Sequence, residues 1–177
     1  IILDIDNTLI DSERNSKKKF SSPPNSIFFG IKNYSRPHLI KFIKECFKQF
    51  TYVALWTAAT KEWADNFIYN ILKMKRTDFL FVWDITKCSV SHTLYCKPLN
   101  KVWKQYKQLN NTNTLIVDDR IYNGIYNKRN FLQIPSYNIH HNDNTLLQLI
   151  VYLKLYDWKN IDVRVLLRNI KLYKYLK

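Results

Sequence analysis

The chain has 177 residues, of which 46% are hydrophobic and 15% aromatic, which is enough to bury the core of one domain and argues against a disordered chain. Its only two glycines, Gly30 and Gly124, exclude a glycine-rich phosphate-binding loop and a dinucleotide-binding fold. The formal net charge is +14, but the basic residues are spread along the chain. The charge is therefore weak support for a nucleic-acid partner, and it suits an anionic, phosphorylated partner as well.

The cysteine content predicts an intracellular protein, in the cytoplasm or the nucleus. Cys46, Cys88 and Cys96 form an odd set without the spacing of zinc ligands, so reduced thiols are expected. A disulfide between Cys88 and Cys96 across a hairpin is the less favoured alternative. No apolar run reaches the ~20 residues that span a bilayer, so no membrane partner is expected. The sequence starts inside a predicted strand without an initiator methionine, which is consistent with a truncated N-terminus.

The chain opens on a short apolar run, Ile1 to Leu3, followed by two carboxylates, Asp4 and Asp6. Such a run is typical of a buried parallel strand, and an open α/β sheet places its ligand crevice at the carboxyl ends of these strands. The chain bends where it leaves the sheet, so that one side chain and one backbone carbonyl can converge there. Two oxygens at a strand end suit a hard divalent cation.

After this strand, the polar segment from Asp11 to Ser35 predicts a long loop or hairpin flap beside the site, and it includes the basic run Lys17 to Lys19. Ser35 is then predicted to cap a helix, and Thr60 to cap the next one. The remaining predicted elements are strands at 52–56, 79–83, 114–117 and 131–134, short strands or a loop over 86–96, and helices at 99–109, 145–156 (capped by Asp143 or Asn144) and 161–176.

The alternation of buried strands and helices predicts an α/β fold with a Rossmann-like, doubly wound parallel sheet. No internal repeat or second domain is evident, and residues 1–177 are expected to form one domain. The insertions between strands are too short for a large lid, so we expect a minimal cap and a site open to solvent. An open site can accept a macromolecular substrate.

Four features lie at or just after the ends of predicted strands, and together they resemble a known superfamily. They are Asp4-Ile5-Asp6-Asn7-Thr8, Thr57, Lys97 and the pair Asp118-Asp119. Their order and spacing resemble the four motifs of the haloacid dehalogenase superfamily of phosphotransferases. A closer resemblance, to the RNA polymerase II C-terminal-domain phosphatases (the small CTD phosphatase or NLI-interacting-factor-like family), is carried by Arg36-Pro37, Leu55-Trp56-Thr57-Ala58-Ala59, Trp63-Ala64-Asp65, Tyr95-Cys96-Lys97-Pro98-Leu99, Ile116-Val117-Asp118-Asp119-Arg120 and Ile134-Pro135-Ser136-Tyr137.

This resemblance implies a magnesium-dependent phosphatase with an aspartyl-phosphate intermediate. Asp4 would be the nucleophile and a metal ligand, and Mg²⁺ would also be bound by the Asp6 backbone carbonyl and the Asp119 side chain. The Asp6 side chain would protonate the leaving serine oxygen and then deprotonate the attacking water.

The resemblance also implies how the phosphate is held. Asp118 would hold Lys97 in place, and Lys97 and Thr57 would stabilise the phosphoryl oxygens. His92 aligns where relatives have an arginine near the phosphate, and it is either a phosphate ligand with one hydrogen bond or a simple loop histidine. Asp119 stands where the small phosphatases usually have asparagine, although larger relatives have the Asp-Asp pair.

Three functions remain open from the sequence. The leading one is hydrolysis of phosphoserine or phosphothreonine in proteins, with the C-terminal tail of RNA polymerase II as a possible partner. The second is a phosphatase for nucleic-acid ends or a small phosphometabolite. The third is a catalytically silent interaction module, against which the intact set of acidic residues, Thr57 and Lys97 argues.

Overall fold

The protein is described by a computed structural model that covers residues 1–13 and 22–168. Its strands are β1 (Ile2–Leu3), β2 (Ile10–Glu13), β3 (Ser26–Phe28), β4 (Ile31–Ser35), β5 (Ala54–Trp56), β6 (Val82–Trp83), β7 (Ser89–Ser91), β8 (Leu94–Cys96), β9 (Ile116–Asp118) and β10 (Phe131–Gln133). Its α-helices are α1 (Leu39–Gln49), α2 (Lys61–Asn66), α3 (Leu99–Gln105), α4 (Thr145–Leu153) and α5 (Val163–Arg168). A π-helical segment, Phe67–Leu72, continues α2, and 3₁₀ turns lie at Arg76–Asp78, Ile85–Lys87 and Ile121–Gly124.

The main sheet has five parallel strands in the order β10-β9-β1-β5-β6. Strand β1 lies at its centre, with Ile2 beside Ala54 on one side and beside Ile116 on the other. The strand order reverses direction at β1, and ligands bind at such switch points in doubly wound sheets. The predicted Rossmann-like fold is therefore confirmed.

Alternate residues of the main sheet belong to two separate hydrophobic clusters. Leu3 packs in the cluster that contains residues of α1 and α4, whereas Ile2 packs in the cluster that contains Leu99 and Val102 of α3. Because successive strand residues point to opposite faces, each face of the sheet is covered by helices. This layering leaves the carboxyl ends of the strands as the open edge of the domain.

The predicted flap is a small antiparallel sheet with strand order β2-β4-β3. The turn between β3 and β4 consists of Phe29 and Gly30, both with positive φ (48° and 73°), as a tight two-residue hairpin requires. The flap contacts α2 through the Phe28 and Trp63 rings, whose centroids are 5.9 Å apart. The basic run Lys17 to Lys19 and the other residues of 14–21 lie outside the described part of the chain.

The predicted helix cap at Ser35 is wrong. Ser35 is the last residue of β4 and pairs with Ile10, and the next backbone N–H, of Arg36, donates to the Leu9 carbonyl at 2.9 Å. These bonds keep the chain extended through Ser35, so that α1 begins only at Leu39, after His38 with φ 67°. The predicted cap at Thr60 is confirmed, because its hydroxyl accepts the Trp63 backbone N–H.

Arg36 is buried and joins separate segments of the chain. Its guanidinium donates to both Asp143 carboxylate oxygens (2.8 and 2.6 Å) and to the carbonyls of Thr8 (3.0 Å) and Pro135 (2.9 Å). Asn144 is the N-cap residue of α4 but makes no side-chain capping bond, and the preceding Asp143 accepts the Thr145 backbone N–H. The base of the flap is thereby fixed to the loop after β1 and to α4.

The remaining differences from the predicted elements concern their ends. Strands β5 and β6 start later than predicted, β9 is shifted to 116–118, α3 ends at Gln105 and α4 ends at Leu153. The predicted short strands over 86–96 form the β7–β8 hairpin. Of the predicted final helix, α5 is present, and residues 169–177 lie outside the described part. Within the described residues, no helix combines the length and apolar character needed to cross a membrane.

Candidate active site

A crevice of about 930 Å³ lies at the carboxyl ends of β1, β9 and β10 and extends to the β7–β8 hairpin. Asp4 follows β1 directly, and its backbone N–H donates to the Val117 carbonyl at 3.0 Å. The chain then turns sharply at Asn7 (φ 56°), and the backbone N–H groups of Leu9 and Ile10 both donate to the Ile5 carbonyl. Asp4 and Asp6 both line the crevice.

Lys97 is fully buried between two carboxylates. Its Nζ lies 2.5 Å from Asp4 Oδ1 and 2.7 Å from Asp118 Oδ2. Burial alone would lower the pKa of Lys97, but the negative charges of Asp118 and Asp4 outweigh it and raise the pKa. The lysine is therefore held as a cation against Asp4.

The carboxylate of Asp118 is saturated with hydrogen bonds. Oδ1 accepts the Arg120 backbone N–H and the Asn123 amide, both at 2.9 Å, and Oδ2 accepts Lys97 and again Asn123, both at 2.7 Å. A second amide, that of Asn127, donates to the Lys97 carbonyl at 2.7 Å. Asp118 therefore binds Lys97 directly, and its proposed role of holding the lysine in place stays a prediction.

Asp4, Asp118 and Asp119 form an acidic cluster whose ligand atoms all lie within 4.8 Å of one another. Burial, and next the charge of Asp118, raise the pKa of Asp4 in spite of the nearby Lys97. Burial also raises the pKa of Asp119, whose carboxylate accepts the Ser136 hydroxyl. A cation would relieve this crowding of carboxylates, and carboxylate oxygens are the ligands that Mg²⁺ prefers. Because the oxygens of Asp118 are taken, Asp4 and Asp119 are the side chains that fit a magnesium ion.

Thr8 shapes this cluster. Its hydroxyl accepts the Asp119 backbone N–H at 3.1 Å and lies 3.5 Å from the Asp119 carboxylate, and its side chain is fully buried. Thr8 is therefore placed to orient Asp119.

The two oxygens of Asp6 are bound by uncharged donors. The Thr57 hydroxyl donates to Oδ2 at 2.9 Å, and the Trp63 indole Nε1 donates to Oδ1 at 2.7 Å. Thr57 itself accepts the Ala59 backbone N–H at 2.9 Å. The structure thus brings Thr57 to Asp6, and the predicted contact of Thr57 with a phosphoryl oxygen stays a prediction.

His92 lies apart from the other predicted site residues. It is exposed at the turn of the β7–β8 hairpin with φ 47°, its ring Nδ1 is 3.2 Å from the Ser91 hydroxyl oxygen, and it is not among the residues that line the crevice. The three cysteines are also not among the residues that line the crevice, and no disulfide joins these three described residues. Cys96 Sγ lies 3.3 Å from the Ser89 carbonyl oxygen, and Cys88 Sγ lies 3.8 Å from that of Thr57.

Several residues that position the site were missed from the sequence. No sequence motif predicts the hydrogen bond from Trp63 to Asp6 or the contacts of Asn123 and Asn127. The helical spacing of Trp63 with Phe67 predicts burial of the ring but says nothing of the indole N–H. Asparagines are frequent in this chain, so only their closeness to Asp118-Asp119 could have drawn attention to Asn123 and Asn127.

Comparisons with known proteins agree with this geometry. Residues 1–164 match the family model of NLI interacting factor-like phosphatases. The ubiquitin-like domain-containing CTD phosphatase 1 of Drosophila melanogaster is 28% identical over 166 residues, which cover 87% of this chain and 48% of that protein. The chain thus spans about half the length of the curated relative that it matches.

Two solved structures share the fold. One is fission yeast RNA polymerase II CTD phosphatase Fcp1 bound to beryllium fluoride, with a TM-score of 0.51 and 16% identity, covering 94% of this chain and 52% of that one. The other is Fcp1, described as an essential RNA polymerase II CTD phosphatase, with a TM-score of 0.52 and 18% identity, covering 98% and 50%. The predicted family is confirmed. The chain belongs to the NLI interacting factor-like phosphatase family.

Proposed function

We propose that this chain is a magnesium-dependent phosphatase for phosphoserine or phosphothreonine in proteins and that it acts through an aspartyl-phosphate on Asp4. The observation that carries the proposal is the different environment of the two aspartates. Asp4 is buried against the cationic Lys97, whereas Asp6 is partly exposed and bound by two neutral donors. The first environment suits a nucleophile, and the second suits a proton donor and acceptor.

The metal would be bound by Asp4, Asp119 and, as the resemblance implies, the Asp6 carbonyl. When bound, Mg²⁺ neutralises charge and so allows a carboxylate to approach a dianionic phosphate monoester. Lys97 contributes a fixed positive charge beside Asp4. The acidic cluster of Asp4, Asp118 and Asp119 supports this assignment.

The chemistry proceeds in two half-reactions. A carboxylate oxygen of Asp4 attacks the phosphorus, the bond from phosphorus to the serine oxygen breaks, and the Asp6 carboxyl group gives its proton to that oxygen. Asp6 then takes a proton from a water molecule that attacks the phosphorus of the aspartyl-phosphate. Inorganic phosphate leaves, and the Asp4 carboxylate is restored.

The substrate is proposed to be a phosphoprotein. The crevice of about 930 Å³ has room for much more than a phosphoryl group, since cavities of ~300–1,000 Å³ accommodate drug-sized ligands. The names of the relatives make the phosphorylated C-terminal tail of RNA polymerase II the first candidate partner, which would place the protein in the nucleus. We also propose that residues 1–177 form one phosphatase domain, since the main sheet draws its strands from residue 2 to residue 133.

The net charge of +14 favours a second candidate, a phosphatase for nucleic-acid ends. The two candidates are separated by measuring phosphate release from 4-nitrophenyl phosphate, a phosphoserine peptide and a 3′-phosphorylated oligonucleotide, each with Mg²⁺ and with a chelator. Magnesium-dependent turnover of the peptide but not the oligonucleotide supports the first candidate. The reverse result would establish the second, and no turnover of any substrate would leave a silent interaction module.

The substitution Asp4→Asn tests the covalent step. We expect turnover of the phosphoserine peptide to fall by about four orders of magnitude or more, because the nucleophile and a metal ligand are lost together. The far-ultraviolet circular dichroism spectrum should stay that of the parent. Asp78→Asn, which changes an exposed carboxylate away from the crevice, serves as the control and should keep parental turnover. Retained turnover in Asp4→Asn would refute the aspartyl-phosphate mechanism.

A further inference from the structure

One side of the crevice is apolar. Leu94 and Tyr95 of β8 and Ile121 and Tyr122 of the 3₁₀ turn after β9 line it, and we call these four residues the apolar wall. Strand β8 and this turn are in contact with each other. The wall is well exposed, at 43% for Leu94, 45% for Tyr95, 60% for Ile121 and 49% for Tyr122. Clustered exposed apolar side chains at a crevice are typical of a binding surface.

Other residues that line the crevice are different in character. Asn7, Ser12, Ala58 and Ala59 have side chains that are small or polar. The crevice therefore offers substantial apolar contact on one side. A ligand that places a phosphoryl group at Asp4 can therefore reach apolar side chains as it extends out of the crevice.

We propose that the apolar wall binds an apolar or aromatic side chain next to the phosphorylated residue of a protein substrate. The proposal rests on the proposed phosphatase function and adds a substrate preference to it. We expect the wall to bind part of the phosphorylated substrate itself, because the wall lines the same crevice as Asp4, Asp6 and Asp119. A polypeptide anchored through its phosphoryl group brings its neighbouring side chains within reach of this surface.

A bound substrate would displace water from the apolar wall. An exposed apolar side chain gains free energy in proportion to the apolar area that it buries, so Tyr122 and Ile121 have more to gain than the buried residues around them. A glycine or a charged residue beside the phosphoserine would leave this surface in contact with water.

The test uses a set of phosphoserine peptides that differ only in one neighbour of the phosphoserine. Leucine, tyrosine, glycine or aspartate is placed directly before it in one series and directly after it in the other. We expect kcat/KM to be about tenfold higher for leucine or tyrosine than for glycine in one series, the size of discrimination that a hydrophobic pocket gives. The selectivity, the ratio of kcat/KM for the leucine peptide to that for the glycine peptide, should fall close to one in Tyr122→Ala and in Ile121→Ser.

Tyr126→Ala is the matched control, because it also removes an exposed tyrosine near the same turn but one that does not line the crevice. It should keep the selectivity of the parent. Equal turnover of all peptides by the parent would overturn the proposal while leaving the phosphatase function intact. Unchanged selectivity in both wall variants, or an equal loss in Tyr126→Ala, would also overturn it. Failure of the parent to hydrolyse any phosphopeptide would refute the phosphatase function itself, and the proposal with it.

Discussion

At the scale of single residues, the two aspartates of the site differ in the hydrogen-bond donors that bind them. Asp4 faces an ammonium group, and Asp6 faces a hydroxyl and an indole N–H. A charged partner fixes an electrostatic environment, whereas two neutral donors on separate oxygens fix the orientation of a carboxyl group. Trp63 is therefore expected to matter for proton transfer to the leaving serine oxygen.

The substitution Trp63→Phe keeps an aromatic ring but removes the donor to Asp6. We expect kcat/KM for a phosphoserine peptide to fall by about a hundredfold, the lower end of what general acid catalysis contributes. The value for 4-nitrophenyl phosphate should fall much less, because nitrophenolate leaves without a proton. Steady-state kinetics on both substrates measures the difference.

Trp103→Phe is the matched control, since the indole of Trp103 donates to the Thr114 hydroxyl, which lies elsewhere in the fold. It should leave the ratio of the two kcat/KM values unchanged. An equal loss on both substrates in Trp63→Phe would show that the tryptophan contributes packing alone.

At the scale of elements, the 3₁₀ turn Ile121–Gly124 links the packing of the sheet to the site. Gly124 lies against Phe131 at the start of β10, where an added Cβ would be 2.2 Å from the ring Cγ. The preceding residue, Asn123, donates to both oxygens of Asp118, which in turn binds Lys97. A shift of this turn is therefore expected to displace Lys97.

The substitution Gly124→Ala should lower the free energy of unfolding by about 1–3 kcal/mol, the usual cost of overpacking, and should also lower kcat. Urea denaturation and steady-state turnover measure the two effects. Adding Phe131→Leu should recover part of the stability, because the smaller side chain vacates the space. A Gly124→Ala variant as stable as the parent would contradict the predicted clash.

The elements also show what the sequence could and could not predict. The buried apolar runs that became β5 and β9 were identified because a strand covered on both faces needs continuous apolar residues. The local sequence predicts a helix cap at Ser35, but Ser35 pairs with Ile10 in the flap sheet. This pairing depends on residues distant in the sequence, so a local capping pattern does not reveal it. Asp4, Asp6 and Asp118 lie at or just after the ends of β1 and β9, where neighbouring parallel strands of one sheet converge. Lys97 follows the separate β7–β8 hairpin and is indicated only by the motif resemblance, and the indole of Trp63 reaches Asp6 through a tertiary contact that no local pattern contains.

At the scale of the whole molecule, the proposed magnesium site would link metal binding to the stability of the fold. Mg²⁺ that binds only the folded chain stabilises it by about 2.7 kcal/mol at a hundredfold excess over the dissociation constant. For a domain of this size we expect a rise of about 5–10 °C in the unfolding midpoint. Thermal denaturation with Mg²⁺ and with a chelator measures this shift.

Asp119→Asn should lose most of the magnesium-dependent shift because it removes a charged ligand of the proposed site. Asp78→Asn should keep the full shift. A shift of parental size in Asp119→Asn, or none in the parent, would argue against a metal site at Asp4 and Asp119.

The position of β1 at the centre of the main sheet has a consequence for folding. Its neighbours, β5 and β9, come later in the chain, with Ile2 beside Ala54 and Ile116. Such long sequence separations slow folding, since the entropy of closing a large loop is lost before the contacts form. During synthesis from the N-terminus, β1, which precedes Asp4 and Asp6, can pair on both sides only after β9 has been synthesised. Catalytic competence is therefore expected late in the maturation of the domain, and nascent chains that stop before Ile116 should have none.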